Sequence, residues 1–133
     1  MPKKESELER EQRAERIQTT IALLQAQKSE IEGSGVVAPP GCYVARYQAQ
    51  GAKHRYWYYQ LKAQTAIFPK TNRDWEYSRF QHLGKAGSQA HIDGVLAVVR
   101  RAQIDELTKT IDGLQESWSD LYSKEEKVGH RVE

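Results

Sequence analysis

The sequence predicts an α+β protein with a long N-terminal helix, a three-stranded antiparallel sheet and a long C-terminal helix, the helices pairing as an antiparallel coiled coil. Apolar residues recur at heptad spacing near both ends of the chain, where aromatic residues are rare. The middle carries an aromatic run with two-residue alternation, which is typical of strands. The predicted segments are an N-terminal helix at 1–32, a connector at 33–41, a basic aromatic sheet at 42–88, a C-terminal helix at 89–127 and a disordered tail at 128–133.

The N-terminal helix is predicted from its composition and its apolar stripe. Between Ser6 and Glu32 there is no Pro or Gly, and good helix formers dominate. Four apolar residues fall at spacings of 4, 3 and 7, with a lysine at the intervening seam position: Ile17, Ile21, Leu24, Ile31 and Lys28. The charged turns from Glu5 to Arg16 are expected to project into solvent.

The first two strands are predicted to form a hairpin. Gly33 is well placed to cap the helix, and two prolines make residues 36–41 an extended connector. Residues 42–50 then alternate, with Tyr43, Ala45 and Tyr47 on one side and Val44, Arg46 and Gln48 on the other. A turn at 51–54 leads into a second strand at about 55–66, which we expect to pair with the first.

The two faces of the second strand differ in character. One face carries Trp57, Tyr59, Leu61 and Ala63. The other face carries Tyr56, Tyr58, Gln60 and Lys62. We expect the first set to pack on a helix and the second set, together with Arg46, to form a binding surface. The alternative is that the tyrosines belong to the sheet core and the charges only solubilise the exposed side.

The rest of the sheet region is predicted from turn residues and one short strand. Residues 68–74 are rich in turn formers and are interpreted as a loop. A third strand follows from Tyr77 to Leu83, and the Gly84–Ser88 turn closes the sheet. Ser88 is a natural N-cap for the next helix. The amides of this turn, with Lys85, are also suited to a backbone phosphate, and the alternative is an ordinary helix cap.

The C-terminal helix carries two apolar stripes in succession. The first, which we expect to pack on the sheet, is Ile92, Leu96 and Val99. The second follows heptad spacings through Ile104, Leu107, Ile111, Leu114, Trp118 and Leu121. The change near Arg100 predicts a change of packing partner from sheet to helix. The second stripe is predicted to pair with the N-terminal helix, within one chain or across a homodimer.

Positive charge coincides with the aromatic residues. The 133 residues carry a formal net charge of +2, but residues 33–91 hold eight Lys or Arg against two acidic residues, a balance of +6. Residues 1–32 and 92–133 carry −1 and −3. A basic aromatic sheet favours a polyanionic partner, DNA first and RNA as an alternative. The candidate contacts are Arg46, Lys53, His54, Arg55, Tyr56, Tyr58, Lys62, Arg79, Lys85 and Ser88.

Catalysis, metal binding and membrane insertion are not indicated by the sequence. The four histidines and the single cysteine show no metal-ligand spacing and no nucleophile–base motif, so we expect no enzyme, metal or cofactor. Cys42 is expected to be a small buried residue. No stretch is apolar enough to cross a bilayer, and the first residues lead into a charged helix, so we expect a cytoplasmic protein.

The leading hypothesis is a non-enzymatic DNA-binding protein, a small transcription regulator or accessory factor. Phosphates would be contacted by basic side chains, and bases by the tyrosines and other polar side chains of the sheet. The alternative is a protein–protein adaptor or assembly factor that acts through its helical seam or through the face of Tyr56 and Tyr58.

Two motifs carry a resemblance to known proteins. A Tyr56-Trp57-Tyr58-Tyr59 strand and a Leu83-Gly84-Lys85 turn precede a long helix that contains Arg100 and Arg101. Over residues 41–122 the chain resembles small uncharacterised cyanobacterial and other prokaryotic proteins, which implies no particular activity. It is more distantly similar to the three-stranded sheet and helix of integrase arm-binding and AP2-type DNA-binding domains. That resemblance implies a sheet that docks in the major groove with basic residues on its strands.

Overall fold

The computed structural model confirms the predicted α+β class. It describes residues 6–123, apart from the side chain of Asp74. The elements are α1 (Glu7–Gly33), β1 (Tyr43–Gln50), β2 (Arg55–Lys62), β3 (Phe68–Lys70), β4 (Arg73–Ser78), β5 (Phe80–Lys85) and α2 (Gln89–Asp120). The chain divides into a helical unit, made of the residues up to Gly33 and from Ile104 onward, and a sheet unit, Ser34–Gln103. The predicted change of packing partner along α2 is therefore confirmed.

The heptad pattern of α1 is confirmed and begins earlier than predicted. Seven seam positions, all buried or half-buried, alternate in spacing between 4 and 3: Arg10, Ala14, Ile17, Ile21, Leu24, Lys28 and Ile31. The expectation that the turns before Ile17 project into solvent is wrong at Arg10 and Ala14. Ala14 is small and apolar and is 8% exposed. The Arg10 side chain is 15% exposed, and its Nη1 donates a hydrogen bond to Glu7 Oε1 at 3.1 Å.

The predicted heptad stripe of α2 pairs with α1 within a single chain. Its most buried members are Ile104, Ile111 and Leu121, each no more than 6% exposed. Ile17, in the first half of α1, lines the same pocket as Leu121. Ser29, near the end of α1, lines another pocket together with Ile111. The two helices therefore run antiparallel, as predicted.

Only the C-terminal end of α2 differs from the prediction. The helix ends at Asp120 instead of 127, and residues 121–123 form turns. The predicted tail at 128–133 lies outside the described residues. Over the described part of the chain, neither helix is long and apolar enough to cross a membrane.

Three strands form an antiparallel sheet in the order β1-β2-β5. In the β1–β2 hairpin, Val44 lies opposite Leu61 and Tyr47 lies opposite Tyr58, and the register is unbroken. The pairing of β2 with β5 shifts register after Tyr59. The extra residue at this bulge is Leu83, which is 7% exposed and belongs to the core.

The interpretation of residues 68–74 as a loop is wrong, because they contribute to a second, two-stranded hairpin of β3 and β4. Lys70 pairs with Arg73 across a turn at 71–72, so the turn-forming residues there connect strands. Pro69 is tolerated because a short strand in a two-stranded hairpin is an edge strand. Phe68 is 7% exposed and anchors the hairpin in the core. The third strand of the main sheet is consequently Phe80–Lys85 rather than 77–83.

The core of the sheet unit lies between the sheet and the first half of α2. It joins Leu61 and Leu83 of the sheet to Ala97 of α2, with Cys42 and Phe68 also buried in it. The prediction that Cys42 is a buried residue is confirmed, at 8% exposure.

The helix meets the sheet through small residues, not through the predicted stripe. Gly94 lies so close to Leu83 that an added Cβ atom would stand 2.7 Å from the Leu83 Cδ1 atom. Ile92, Leu96 and Val99 are exposed at 43%, 44% and 46%, which contradicts the expectation that they pack on the sheet. The close approach of helix and sheet requires small side chains at the contact, and the larger ones face outward.

Candidate nucleic-acid interface

The antiparallel register sorts the side chains of the main sheet onto two faces. We call the face that packs on α2 the inner face and the opposite one the outer face. Paired residues on neighbouring antiparallel strands share a face. The outer face consists of Tyr43, Ala45, Tyr47 and Ala49 of β1, Tyr56, Tyr58, Gln60 and Lys62 of β2, and Phe80, His82 and Lys85 of β5. The three strands hold four Lys or Arg residues and no Asp or Glu.

Four aromatic side chains contact one another on the outer face. The rings of Tyr47 and Tyr58 stack with their centroids 5.9 Å apart, and the Tyr58 ring lies 5.6 Å from that of His82. The Tyr47 hydroxyl forms a hydrogen bond with His82 Nδ1 at 3.0 Å. Tyr56 continues the group, with its ring 6.4 Å from Tyr58. We call Tyr47, Tyr56, Tyr58 and His82 the aromatic cluster.

Lysine side chains lie over rings at two places on this face. Lys85 Nζ stands 4.9 Å from the centre of the Tyr56 ring. Lys62 Nζ lies between two further rings, 5.8 Å from Tyr43 and 5.5 Å from Phe80. These distances permit cation–π attraction. Lysine stems are flexible, so each ammonium group can also reach a phosphate nearby.

Two residues of the predicted site lie at the edges of the outer face. Arg79, between β4 and β5, donates from Nε to the Ala63 carbonyl oxygen at 3.1 Å. Its guanidinium group lies 5.7 Å from the Phe80 ring. At the hairpin turn, His54 meets the edge of the Tyr56 ring, with the ring centroids 6.2 Å apart.

The hairpin turn holds the Tyr56 ring in place. The Gly51 N–H donates to the His54 carbonyl oxygen at 2.7 Å and closes the turn. A Cβ atom at Gly51 would stand 2.6 Å from Cε2 of Tyr56 and 2.9 Å from the His54 oxygen. The absence of a side chain at Gly51 therefore allows Tyr56 to lie against the turn.

Arg46 lies on the inner face, which corrects its predicted placement beside Tyr56 and Tyr58. It pairs with Tyr59, and its guanidinium group lies 4.0 Å from the centre of the Trp57 ring. The reason is the hairpin register, in which each even-numbered residue of β1 pairs with an odd-numbered residue of β2. Arg46 therefore shares a sheet face with Trp57 and Tyr59, not with Tyr56 and Tyr58. Trp57 was expected in the core but is 43% exposed, and the Arg46 guanidinium group lies over its ring.

Arg55 and Lys53 also lie away from the aromatic cluster. Arg55 pairs with Gln50 in the inner-face register and donates from Nε to Gln50 Oε1 at 3.1 Å. Lys53 is an exposed residue of the hairpin turn. Neither position contributes a side chain to the outer face of the strands.

The β3–β4 hairpin borders the outer face and forms an open groove of about 900 Å³ with it. Its lining includes Gln60, Phe80 and His82 of the sheet and Lys70, Arg73 and Glu76 of the hairpin. Glu76 accepts hydrogen bonds from Arg73 Nη1 at 2.9 Å and from Lys70 Nζ at 3.2 Å. These bonds, that from Arg73 first, hold the pKa of the Glu76 carboxyl below its ordinary value.

The turn before α2 is an ordinary helix cap. Ser88 Oγ accepts from the His91 N–H at 3.2 Å, which confirms Ser88 as the N-cap, and donates to the Leu83 carbonyl oxygen at 3.1 Å. The Gly87 N–H donates to His91 Nδ1 at 3.0 Å. The His91 ring in turn stacks on Tyr59, with centroids 3.9 Å apart. Because these groups already have partners within the chain, we leave Ser88 out of the interface.

The structure thus brings together four of the predicted contacts on the outer face, Tyr56, Tyr58, Lys62 and Lys85, with His54 and Arg79 at its edges. Sequence reasoning missed four ring-bearing residues of the same face, which are Tyr43, Tyr47, Phe80 and His82. The alternation of β1 already separated Tyr43 and Tyr47 from Arg46. Carrying that alternation across the hairpin would have placed them beside Tyr58.

The Cys42 thiol is buried in the core of the sheet unit. Burial raises the pKa of the Cys42 thiol, and the charge of Arg101 only partly opposes this effect. Cys42 is therefore a protonated core residue and not an activated nucleophile. Within residues 6–123, no three His, Cys, Asp or Glu side chains are grouped so that they could hold a metal ion.

Comparison with protein-family models, curated proteins and solved structures finds no match to this chain. The resemblances inferred from the sequence motifs therefore stay predictions, and the function must be argued from the site itself.

Proposed function

We propose that this protein is a non-enzymatic DNA-binding protein that contacts DNA through the outer face of its sheet. It acts in the cytoplasm as a small transcription regulator or accessory factor. The observation that supports the proposal is the outer face itself, where exposed rings and lysine side chains lie side by side on strands without an acidic residue.

The charges of this face are placed to meet phosphates around the aromatic cluster. Lys85 lies at the Tyr56 end of the face, and Lys62 lies between Tyr43 and Phe80. Arg79 adds a third positive group beside Phe80. Such phosphate contacts supply affinity that falls as salt rises, because each neutralised phosphate releases condensed counterions.

The test is the double substitution Lys62→Gln/Lys85→Gln. We expect weaker DNA binding and a slope of log K against log salt that is shallower by about 0.7–0.9 for each lysine that contacts a phosphate. Fluorescence anisotropy titrations of a labelled DNA at salt concentrations from roughly 50 to 200 mM measure both quantities.

The matched control is Arg46→Gln/Arg55→Gln, which removes the same charge from the inner face of the same sheet. We expect this control to keep the wild-type salt slope. Equal losses in the two double variants would show non-specific attraction to the whole chain. Binding that does not depend on salt would also contradict the proposal.

A second candidate function is a protein–protein adaptor, and one observation favours it. Ile92, Leu96 and Val99 form an apolar stripe on α2 that is 43–46% exposed. The heptad seam proposed at first for this role is filled within the chain by α1, so this exposed stripe is the part of α2 that we propose for a partner. A second copy of the chain is the simplest such partner, which would make a homodimer through the helices.

The homodimer is tested by Leu96→Gln/Val99→Gln, which keeps good helix formers on α2. If the wild type is a dimer, this variant should become a monomer in sedimentation equilibrium. Leu23→Gln on α1, which is also exposed at 58%, is the control and should leave the mass unchanged. A wild-type protein that is monomeric at all concentrations would contradict the homodimer.

A further inference from the structure

We propose that the outer face binds unpaired bases of a single-stranded nucleic acid by stacking them on its aromatic rings. The proposal rests on the function proposed above and specifies the class of nucleic acid. Tyr43, Phe80 and Tyr56 are 51%, 41% and 38% exposed, so these residues are accessible to a ligand. Aromatic rings beside basic groups are how sheet domains hold single strands without reading a sequence.

The rings form a surface suited to the faces of bases. Tyr47 and Tyr58 are stacked with an angle of 28° between their planes, and the Tyr56 ring lies beside Tyr58 on the same strand, with centroids 6.4 Å apart. A base laid on such a surface gains stacking contact with a ring that is already held by its neighbours. Gly51 and the edge contact of His54 hold Tyr56 in the same way. Little conformational freedom is therefore lost when a base binds.

A duplex presents far fewer base faces to these rings than a single strand does. In a duplex, the faces of the bases are covered by their neighbours, and the grooves expose only base edges and phosphates. Base edges are read by hydrogen bonds, but the Tyr47 hydroxyl is already bonded to His82. Unpaired bases, in contrast, present faces to which any aromatic ring can stack.

The outer face provides two stacking places, each with its own lysine. One is the aromatic cluster, with Lys85 over Tyr56. The other is the pair Tyr43 and Phe80, with Lys62 between the two rings. Tyr43 and Tyr47 are four residues apart on β1, which corresponds to about 13 Å along a strand. A single strand that crosses the sheet therefore meets rings and a positive charge twice.

The decisive experiment compares two double variants of the aromatic cluster, Tyr56→Leu/Tyr58→Leu and Tyr56→Phe/Tyr58→Phe. The leucine variant removes both rings, and the phenylalanine variant removes only the hydroxyl groups. The probes are a labelled oligothymidylate of about 20 nucleotides, longer than the roughly 4–16 nucleotides that a single-strand-binding OB-fold covers, and the duplex of the same length. Fluorescence anisotropy measures the affinity for each probe.

We expect the wild type to bind the single strand more tightly than the duplex. The leucine variant should lose about 5- to 150-fold in single-strand affinity for each base stack that is removed. The phenylalanine variant should bind as the wild type does, since its ring faces remain. Trp57→Leu is the matched control, because Trp57 is an exposed ring of the same strand on the inner face, and it should leave the affinity for oligothymidylate unchanged.

The outcomes separate this proposal from the function on which it rests. Tighter binding to the duplex, with no effect of the leucine variant, would overturn the stacking proposal and leave DNA binding standing. Equal losses in the leucine and phenylalanine variants would assign the contact to the hydroxyl groups and overturn stacking. No binding to oligothymidylate, to the duplex or to an oligouridylate would overturn both. Binding to an oligouridylate but not to oligothymidylate would support stacking and overturn the choice of DNA.

Discussion

The two faces of the main sheet are built from the same three strands, yet their chemistry is opposite. On β2, Leu61 points inward and is 4% exposed, whereas the next residue, Lys62, lies on the outer face between two rings. Leu61 and Leu83 of the inner face are buried with Ala97 of α2, and outer-face rings contact other rings and cations. Stability and binding are therefore carried by alternating residues, which should make the two properties separable by substitution.

The largest expected effect separates two neighbouring residues of β2. Leu61→Ala should lower the free energy of unfolding by about 2–5 kcal/mol, because it leaves a cavity in the core. Lys62→Ala should lower it by no more than about 1 kcal/mol, since the substitution removes exposed cation–π contacts but leaves no cavity. Urea unfolding followed by circular dichroism measures both. Equal effects on stability would show that the faces are not separable.

The second-largest expected effect comes from adding a side chain at Gly51, in the hairpin turn beside the outer face. Gly51→Ala places a Cβ atom 2.9 Å from the His54 carbonyl oxygen and 2.6 Å from the Tyr56 ring. The strain should cost about 1–3 kcal/mol in the free energy of unfolding, with displacement of the Tyr56 ring and weaker single-strand binding. Urea unfolding and anisotropy titration measure these changes.

Gly113→Ala in α2 provides the control for that substitution. Nothing lies within 4 Å of a Cβ atom added at Gly113. Alanine is favoured over glycine in a helix interior, so this variant should be more stable than the wild type by about 0.5–1 kcal/mol. If Gly51→Ala does not lower the free energy of unfolding, the inference that the turn holds the Tyr56 ring in place is wrong.

The sequence was enough to predict which residues of β2 share a face. It did not correctly predict which residues of β1 lie on the same face as them. Two-residue alternation suffices to separate Leu61 from Lys62 within one strand. Placing Arg46 relative to Tyr58 requires the register across the hairpin, which the turn at 51–54 sets. The hairpin of β3 and β4 was missed for a similar reason, since Pro69 and Asn72 indicate a turn but not the strands that flank it.

The prediction for α2 failed where residue size mattered more than hydrophobicity. Ile92, Leu96 and Val99 follow helical periodicity, and that pattern predicts a buried stripe. The sheet instead meets Gly94 and Ala97, because Leu83 fills the space that a larger side chain on the helix would need. Helical periodicity predicts how wide the apolar face of a helix is. It does not predict how closely that helix approaches the sheet. The heptads of α1 and α2 were predictable because helix–helix packing repeats regularly.

A smaller expected effect tests the corrected position of Arg46. Its guanidinium group lies 4.0 Å over the Trp57 ring on the inner face. Arg46→Ala should lower the free energy of unfolding by about 0.5–1 kcal/mol through loss of this cation–π contact. Affinity for oligothymidylate should stay at the wild-type value. A loss of affinity as large as that in the Lys62→Gln/Lys85→Gln variant would return Arg46 to the binding surface.

The smallest expected effect concerns Glu76, the partly exposed acid that pairs with Arg73 and Lys70 beside the outer face. Its pKa is lowered in the folded protein, so the folded state favours the carboxylate. The stability gained in this way is fully present above the pKa of the unfolded chain and is lost as pH falls through the lowered folded value. Glu76→Gln should therefore flatten the acid side of the stability profile and leave its shape near neutral pH unchanged.

Urea unfolding of wild type and Glu76→Gln at a series of pH values from about 2 to 7 measures this effect, because the range spans the ordinary glutamate pKa. The same substitution frees Lys70 and Arg73 from their acidic partner, so the groove beside the outer face becomes more positive. Affinity for oligothymidylate at low salt should then rise, whereas the Lys62→Gln/Lys85→Gln variant should lose affinity. An unchanged affinity would place the bound strand on the rings alone and exclude the β3–β4 hairpin from the contact.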